Sequence, residues 1–395
     1  MIDPKAITAL VPTRECPEAE ELYFPLPPSL EVVPLVERGD NVKVGQCIAN
    51  GSGNLIAPLH SSVSGVVTDL KPIQNSSGGF STMITIRNDS RYHALPFSSF
   101  KGSLRDASVV DLRQRIYSAG IPGLDDPGHP VEELIINATE GEPFLSADHR
   151  QIIENTRAIF TGLEVAMRLM NPKWVDIAVD ESRSDAVIAL RNYALKYSNV
   201  RVVPLKKTYP KGADCALVNQ ITHKRTRQRP IDVGVLVVEI STLAQVGLSM
   251  STGLPFVSRF VTLSGSLLEK KLNLRVRIGT PIKTLLGELI SQNAKMPAQL
   301  RVIMGGAMTV VSQTSLDVPV TKETNAVLVL SHLNLPEQHC IRCARCVDRC
   351  PVYIMPIFAA QNGLQAQECV ECGLCSYHCP SNIRLVDRIR KWKQA

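Results

Sequence analysis

Residues 340–351 read CIRCARCVDRCP, and residues 369–380 read CVECGLCSYHCP. Each stretch has the spacing Cys-x2-Cys-x2-Cys-x3-Cys-Pro. Three thiolates at positions i, i+3 and i+6 of a tight loop can surround three corners of one cubane. The fourth Cys points the other way, toward a neighbouring cubane. Two such stretches close together therefore predict a small C-terminal unit that is built around metal.

The spacing is typical of proteins with two [4Fe-4S] clusters, in which the fourth Cys of each run ligates the cluster of the other run. The predicted ligand sets are Cys340, Cys343, Cys346 and Cys379 for one cluster, and Cys369, Cys372, Cys375 and Cys350 for the other. Zinc sites or disulfides are the alternative. Zinc sites use pairs of ligands rather than four-Cys runs that end in Pro, so the spacing favours clusters.

The composition limits the other classes of function. Outside the two runs, the 11 Cys include only Cys16, Cys47 and Cys215, which fits a reducing compartment without a disulfide framework. Aromatic residues make up 5% of the chain, which argues against a nucleic-acid surface based on stacking. The net charge is +6, and basic residues gather around the Cys runs. They predict either a solvated face or a docking surface for an acidic electron carrier.

The chain shows no signal for the membrane. Its first residues lead into polar sequence, which is not typical of a secretory signal. The longest apolar stretch, Ile231 to Ile240, is too short to cross a bilayer. We therefore expect any association with a membrane to be peripheral.

Short apolar stretches and turn formers predict a small β unit from about Leu26 onward. The order Gly-Asp-x-Val-x-x-Gly-Gln, Ala57-Pro and Ser64-Gly-Val-Val resembles a barrel-sandwich hybrid of the biotinyl or lipoyl type. The region 57–65 holds no Lys to carry a cofactor, so we expect a structural copy. The single His60 in this region is expected to be polar surface.

Strands and helices then alternate. A buried strand over 131–137 is followed by a helix over 148–170, a strand from Trp174, a helix over 182–196 and a strand from Val200. This alternation predicts an α/β domain with a largely parallel sheet. Ligands of such sheets lie beyond the carboxyl ends of the strands, which here corresponds to the segment from Asn137 to Pro143.

Later stretches predict a further strand over 231–240 and a helical piece over 241–248. Two strands from Phe260 and Asn273 and a helix over 282–290 follow, and their order resembles a β-grasp module. We thus predict four units: a barrel-sandwich unit with extensions over 1–108, a Rossmann-like α/β domain over 109–255, the β-grasp module over 256–330 and the two-cluster ferredoxin-like domain over 331–395.

This order of units resembles the C subunit of the Rnf (Rsx) electron-transport complex. The resemblance covers about Leu26 to Ile389, and it is carried by Ile135-Ile-Asn-Ala-Thr-Glu-Gly-Glu-Pro, Ala147-Asp-His-Arg150, Tyr209-Pro-Lys-Gly, Asp232-Val-Gly-Val, Ile278-Gly-Thr-Pro, Met304-Gly-Gly-Ala-Met, Val320-Thr-Lys-Glu-Thr-Asn-Ala-Val and both Cys runs. The α/β and β-grasp parts also resemble the NADH-oxidising subunit of respiratory complex I. A cobalamin reductase of bacterial microcompartments shares the architecture and is the alternative.

The resemblance implies that the α/β domain binds FMN and accepts hydride from NADH. Flavin is needed there because NADH gives two electrons together, whereas clusters take one each. The contacts that it implies for FMN or NADH are Gly120, Asn137, Glu140 and Glu142. For the last three, a purely structural role at the strand end is the alternative interpretation.

The family's glycine-rich loop, which cradles the FMN phosphate, is reduced here to Ala119-Gly-Ile-Pro122. We expect Ile116 and Tyr117 to fill space that the cofactor needs, and Asp125 and Asp126 to oppose an anion. The family's Lys in this loop has no counterpart. The flavin site therefore looks degenerate, and no catalytic residue is predicted.

Two functions follow from the resemblance. The chain is either a flavin and iron–sulfur subunit that moves electrons between NADH and ferredoxin, or a flavin-free relay between protein partners. In both, the expected partners are subunits of an ion-translocating complex at the cytoplasmic face of the plasma membrane and a ferredoxin-type carrier, without nucleic acid.

Overall fold

A computed structural model describes most of the chain. The described residues are 5–26, 32–51, 57–74, 80–104, 106–125, 127–206, 209–210, 212–224, 226, 229–287, 300–309, 312–331 and 335–394.

The N-terminal part is built mainly from short antiparallel strands. Its elements are α1 (Ala6–Ala9), β1 (Arg14–Glu15), β2 (Glu21–Pro25), β3 (Val32–Pro34), β4 (Asn41–Val42), β5 (Cys47–Gly51), β6 (Leu59–His60), β7 (Gly65–Gln74) and β8 (Phe80–Asn88). One sheet has the order β2-β8-β7-β4, and a second has the order β3-β5-β6. His60 is only 5% exposed, so the expectation that it lies on the polar surface was wrong.

The α/β domain contains the parallel sheet that the strand–helix alternation predicts. Its elements are α2 (Val109–Ser118), β9 (Glu133–Ala138), α3 (Ala147–Met170), β10 (Trp174–Asp180), α4 (Ser184–Ala194), β11 (Val200–Leu205), α5 (Asp214–Thr222), β12 (Val235–Glu239) and α6 (Ile240–Thr252). The strand order is β11-β10-β9-β12, and every neighbouring pair is parallel. Strands β9 and β12 are parallel neighbours, so their carboxyl ends lie at the same edge of the sheet.

The predicted strand over 231–240 differs from the structure at both ends. A 3-10 turn occupies Pro230–Val233, and Gly234 follows it in a left-handed conformation with φ +74°. Because the backbone turns at this glycine, strand β12 begins only at Val235. It ends at Glu239, and α6 begins at the next residue, Ile240.

The third unit is a mixed sheet with one short helix. Its elements are β13 (Ser258–Ser264), β14 (Leu272–Arg277), α7 (Ile282–Gly287), β15 (Leu300–Met304), β16 (Ser312–Gln313) and β17 (Ala326–Ser331). The strand order is β1-β14-β13-β17-β15-β16, so the N-terminal strand β1 joins this sheet through a parallel pairing with β14. Residues 288–290, the end of the predicted helix, lie outside the described residues.

The C-terminal unit surrounds the two Cys runs with short helices. These are α8 (Arg345–Asp348), α9 (Pro356–Asn362), α10 (Leu374–Tyr377) and α11 (Leu385–Gln394). A small core that includes Ile354, Ala359 and Ile389 holds them together. In the described part of the chain, no helix combines the length and the apolar character that a bilayer crossing requires. The four unit boundaries given above stay predictions.

Helices α3 and α6 pack closely enough for two glycines to touch backbone. A Cβ atom on Gly247 would lie 1.8 Å from the carbonyl oxygen of Ala158, and one on Gly162 would lie 2.0 Å from that of Leu243. Such contacts are far inside van der Waals distance. The two helices can therefore keep this spacing only with glycine at both positions.

We expect Gly247→Ala to lower the free energy of unfolding by about 1–3 kcal/mol, because the helices must separate to admit the methyl group. The measurement is urea unfolding of the anaerobic holoprotein. Gly287→Ala is the matched control, since no atom lies within 4 Å of its Cβ position. Equal stability of the two variants would contradict the close packing.

Candidate functional site

The two Cys runs adopt the same backbone conformation. Arg342 and Glu371, which occupy equivalent positions, both have φ +54°. Their N–H groups donate to the Sγ atoms of Cys340 and Cys369, each at 3.4 Å. N–H···S bonds of this kind stabilise thiolate charge and raise the reduction potential of a cluster.

The second predicted ligand set surrounds a small cavity in the core of the C-terminal unit. All four of its members line this cavity: Cys350, Cys369, Cys372 and Cys375. Burial raises the pKa of Cys372 to about 11 and that of Cys375 to about 12, so these thiols need a bound cation to lose their protons. Among the described residues, no group of His, Cys, Asp or Glu is tight enough for a single metal ion.

The first predicted set is more exposed to solvent. Cys340 and Cys343 are exposed, whereas Cys346 and Cys379 are partly buried against the core of the unit. Burial raises the pKa of Cys346, and the neighbouring Cys340 and Cys343 thiols add to the rise. The assignment of each Cys to one cluster stays a prediction.

A larger cavity of about 490 Å³ lies at the carboxyl edge of the parallel sheet, where the sequence predicts a ligand. Its volume is in the usual range for a cofactor or small-molecule site. Side chains from the α/β, β-grasp and cluster units line it: Pro122, Asn137, Glu140, Gly141, Glu142, Leu145, Asp148, Tyr209, Pro210, Gly212, Ala213, Glu239, Ser241, Thr242, Phe256, Arg259, Thr309, Lys322, Glu323, Asn325, Val370 and Cys372.

Asn137 joins two strand ends and a loop at this edge. Its Nδ2 donates to the Gly212 carbonyl oxygen at 3.1 Å and to Oε1 of Glu239 at 3.0 Å. Its Oδ1 accepts from the backbone and hydroxyl of Thr139. The amide is therefore already used in holding the edge of the sheet together.

Glu140 caps helix α3. Its carboxylate accepts from the backbone N–H groups of Asp148 at 2.8 Å and His149 at 3.4 Å, in the first turn of the helix. Its own carbonyl oxygen accepts from the Lys5 ammonium. Burial raises the pKa of Glu140 to about 7, and the nearby Asp148 adds to the rise.

Glu142 holds the β-grasp module against the α/β domain. Its carboxylate accepts from the Met308 N–H at 2.9 Å and from the Thr309 hydroxyl. A Cβ atom on Gly306 would lie 1.9 Å from its Cδ, so the glycine makes room for this carboxylate. These contacts give all three predicted residues, Asn137, Glu140 and Glu142, a structural role, and their contact with a cofactor stays a prediction.

Gly120, the fourth predicted residue, lies next to the cavity rather than in its lining. Its carbonyl oxygen accepts from Nζ of Lys322 at 2.7 Å. Its Cβ position is also within 3.0 Å of Nδ1 of His60. The neighbouring Pro122 lines the cavity.

The expected obstruction by the altered loop does not appear. Ile116 is buried in the hydrophobic core, and the Tyr117 hydroxyl donates to Oδ1 of Asn50 at 3.0 Å. Neither side chain lines the cavity, and neither does Asp125. Helix α2 directs these side chains toward the core and the barrel-sandwich unit. Asp126 lies outside the described residues.

Sequence reasoning missed several residues that line the cavity, of which Tyr209, Arg259 and Lys322 matter most. Tyr209 and Lys322 belong to stretches that carried the resemblance, and this was the available signal. The Tyr209 hydroxyl donates to the carbonyl oxygen of Cys372 at 2.5 Å. One tyrosine therefore touches both the cavity and the loop of the second Cys run.

Comparisons with known proteins agree with this architecture. Three family models match the chain: the RnfC barrel sandwich hybrid domain over residues 1–91, the Nuo51 FMN-binding domain over 115–248 and the 4Fe-4S dicluster domain over 332–387. The C subunit of the Na⁺-translocating ferredoxin:NAD⁺ oxidoreductase complex of Acetobacterium woodii is 30% identical over 381 residues, and the match covers 90% of this chain and 84% of that protein. The chain belongs to the family of Rnf complex C subunits.

Two further members of the Rnf family are similar over most of the chain. The C subunit of the proton-translocating ferredoxin:NAD⁺ oxidoreductase complex of Clostridium ljungdahlii is 28% identical, and the match covers 90% of this chain and 81% of that protein. The C subunit of an ion-translocating oxidoreductase complex of Haemophilus influenzae is 32% identical, with 87% of this chain and 56% of that protein covered. The chain thus spans little more than half the length of this longer relative.

These findings confirm the predicted membership of the Rnf family, the fold class and a C-terminal unit for two [4Fe-4S] clusters. FMN stays a candidate cofactor, supported by the matched FMN-binding domain. The names of the relatives favour the Rnf interpretation over the cobalamin reductase.

Burial raises the pKa of Glu239 to about 8, and the nearby Asp148 and Asp214 add to the rise. The folded state then holds a proton that the unfolded state loses near the ordinary pKa of about 4.5, so stability falls as the pH rises from about 5 to 8. We expect Glu239→Gln to remove this contribution. Between pH 5 and pH 8 the variant should therefore lose less stability than the wild type does. The measurement is thermal unfolding of anaerobic holoprotein at pH 5, 6.5 and 8.

Glu323→Gln is the control, because Glu323 lines the same cavity, whereas the hydrogen bond from Asn137 goes to Glu239. It should keep the wild-type dependence on pH. Parallel profiles for Glu239→Gln and the wild type would contradict a neutral Glu239 at pH 7.

Proposed function

We propose that this chain carries electrons between NADH, or a protein donor, and a ferredoxin-type carrier through its two [4Fe-4S] clusters. In this proposal it is a peripheral subunit at the cytoplasmic face of a membrane complex of the Rnf type. One observation carries the proposal: Cys372, a predicted cluster ligand, lines the cavity at the carboxyl edge of the parallel sheet. A cofactor in that cavity would lie beside the second cluster.

The order of burial supports a path in series. Cys350, Cys372 and Cys375 of the second set are buried, and Cys372 lines the cavity, whereas Cys340 and Cys343 of the first set are exposed. Electrons that enter at the cavity would reach the buried cluster first and the exposed cluster second. A partner protein could then dock at the exposed cluster.

The surface beside the exposed cluster supports an acidic partner. Arg342, Arg345 and Arg349 belong to the first Cys run and are exposed, and the run also holds the exposed Asp348. A cluster of positive charge attracts an acidic carrier and speeds its association at low ionic strength. Ferredoxins are carriers of this kind in the Rnf interpretation, and this supports the predicted partner.

The cavity would hold FMN between the sheet edge, the β-grasp module and the lining residues Tyr209, Pro210, Gly212 and Ala213. FMN supplies the conversion of a hydride pair into single electrons. The chain's own contribution is to enclose the site, to exclude water from it and to place Tyr209 against the Cys372 carbonyl.

The first test uses anaerobically purified protein. We expect about eight irons per chain and [4Fe-4S] signals in the EPR spectrum after dithionite. If the cavity is the entry point, FMN is present and NADH alone also reduces the clusters. Iron near zero under strict anaerobiosis would contradict the clusters. Reduction by dithionite but not by NADH, in protein without flavin, would replace this proposal with the flavin-free relay.

A second test removes the contact between the cavity and the cluster. Tyr209→Phe deletes the hydroxyl that donates to the Cys372 carbonyl, so the cluster loses a contact that stabilises negative charge. We expect the reduction potential of one cluster to become more negative while the other keeps its value, measured by EPR-monitored redox titration. The control is Tyr353→Phe in the cluster unit, since the Tyr353 side chain is 88% exposed to solvent. Unchanged potentials in both variants would show that the contact does not tune the cluster.

A further inference from the structure

Lys322 places an ammonium group where three units of the chain meet. It lies in a turn that is fixed by a hydrogen bond from the Thr321 N–H to the Thr324 hydroxyl at 3.0 Å. Its Nζ donates to the carbonyl oxygens of Pro58 and Gly120, each at 2.7 Å. The side chain is partly buried, and it lines the cavity.

The ammonium has no acidic partner to balance its charge. Within the described residues it forms no ion pair, and the Cys47 thiol is the only group that opposes the effect of burial on its pKa. Burial lowers that pKa to about 8. A sheltered cation held only by neutral carbonyls is costly, so an anion in the cavity would stabilise it.

Arg259, the other basic side chain of the cavity lining, lies among carboxyl groups. It is surrounded by the carboxyl groups of Asp148, Glu239 and Glu323, which support its charge. One of its guanidinium N–H groups also donates to the Lys322 carbonyl oxygen. Lys322, in contrast, is held by two neutral carbonyl oxygens.

The first turn of helix α6, which follows Glu239 at its N-cap, is the feature near Lys322 that favours an anion. Ser241 and Thr242 lie in the first turn of α6, and both line the cavity. The positive end of this helix dipole favours negative charge. The loop 120–123 lies between Lys322 and helix α6. Gly120 contacts Lys322, and the Cβ position of Gly123 lies 3.8 Å from the Thr242 side chain.

We propose that Lys322 binds the phosphate of a cofactor in this cavity, in place of the N–H groups that a glycine-rich loop would supply. Lys322 lies outside the matched FMN-binding segment 115–248, so no comparison assigns it this role. The inference rests on the proposed function only for the identity of the cofactor. The phosphate belongs either to the monoester of FMN or to the pyrophosphate of NADH.

The test compares Lys322→Met and Lys322→Arg with the wild type in flavin-depleted full-length protein. Dissociation constants for FMN, riboflavin and NADH are measured by fluorescence and calorimetry. Loss of a charged partner to a phosphate is expected to weaken FMN binding about 100-fold in Lys322→Met, with partial recovery in Lys322→Arg. Riboflavin has no phosphate, so its affinity should stay the same.

Lys283→Met is the matched control, because Lys283 lies in the same unit but pairs with Asp317 on the surface. It should bind all three ligands like the wild type. Loss of NADH binding with intact FMN binding would support the site and assign its anion to the pyrophosphate. Equal losses for FMN and riboflavin, or no loss at all in a folded Lys322→Met, would overturn the inference.

A second readout does not depend on flavin chemistry. Acylation of Lys322 by an N-hydroxysuccinimide ester at pH 8, followed by peptide mapping, reports whether Nζ is covered. We expect FMN or NADH to protect Lys322 at least tenfold, inorganic pyrophosphate to protect it partly, and riboflavin to leave it reactive. Failure of every phosphate compound to protect would overturn the site. The proposed electron path is tested by a different result: it fails if NADH does not reduce the clusters, whether or not Lys322 binds a phosphate.

Discussion

The contact between the second cluster loop and the cavity edge is the constraint on which the arrangement of the units depends. Gly373 has φ +77°, and a Cβ atom there would lie 2.3 Å from the carbonyl oxygen of Met308. Only glycine allows the cluster loop to approach the β-grasp module so closely. Met308 is in turn held by Glu142 of the α/β domain, so three units meet at one backbone contact.

The cavity is rich in carboxyl groups that are poorly solvated. Desolvation raises the pKa of Glu140, Asp148 and Glu239, all of which line it. Hydrogen bonds from the α3 backbone and from Asn137 offset part of this desolvation. Perturbed carboxyl groups of this kind gather at functional sites, because a site that excludes water cannot also solvate its own charges.

Local patterns in the sequence predicted local structure well. The Cys spacing identified the cluster unit, and the alternation of apolar strands with a helical stripe identified β9, α3, β10, α4 and β11 in the right order. These features depend on residues that are close in sequence. Gly234 shows the limit of this reasoning, since a single left-handed residue moved the start of β12 and apolar periodicity does not report it.

The candidate site was predicted only at its sheet edge. Lys322 and Gly120 are 202 positions apart, and Tyr209 is 163 positions from Cys372. Such pairs are created by the packing of units, so no spacing rule could reveal them. Neither Ile116 nor Tyr117 lines the cavity, and this too depends on packing. The sequence identified which residues had changed but not the face of α2 from which they project.

Two loops with the same Cys spacing have different surroundings. Arg342 and Glu371 occupy equivalent positions, but Arg342 is exposed to solvent, whereas Glu371 forms ion pairs with Arg390 and Lys393. Lys393 also donates to the Cys369 carbonyl oxygen at 3.0 Å. Burial in a low dielectric disfavours the extra negative charge of a reduced cluster, whereas nearby cations and N–H donors favour it. The common spacing of the ligands therefore does not by itself determine the two potentials, because the charged groups around the two loops differ.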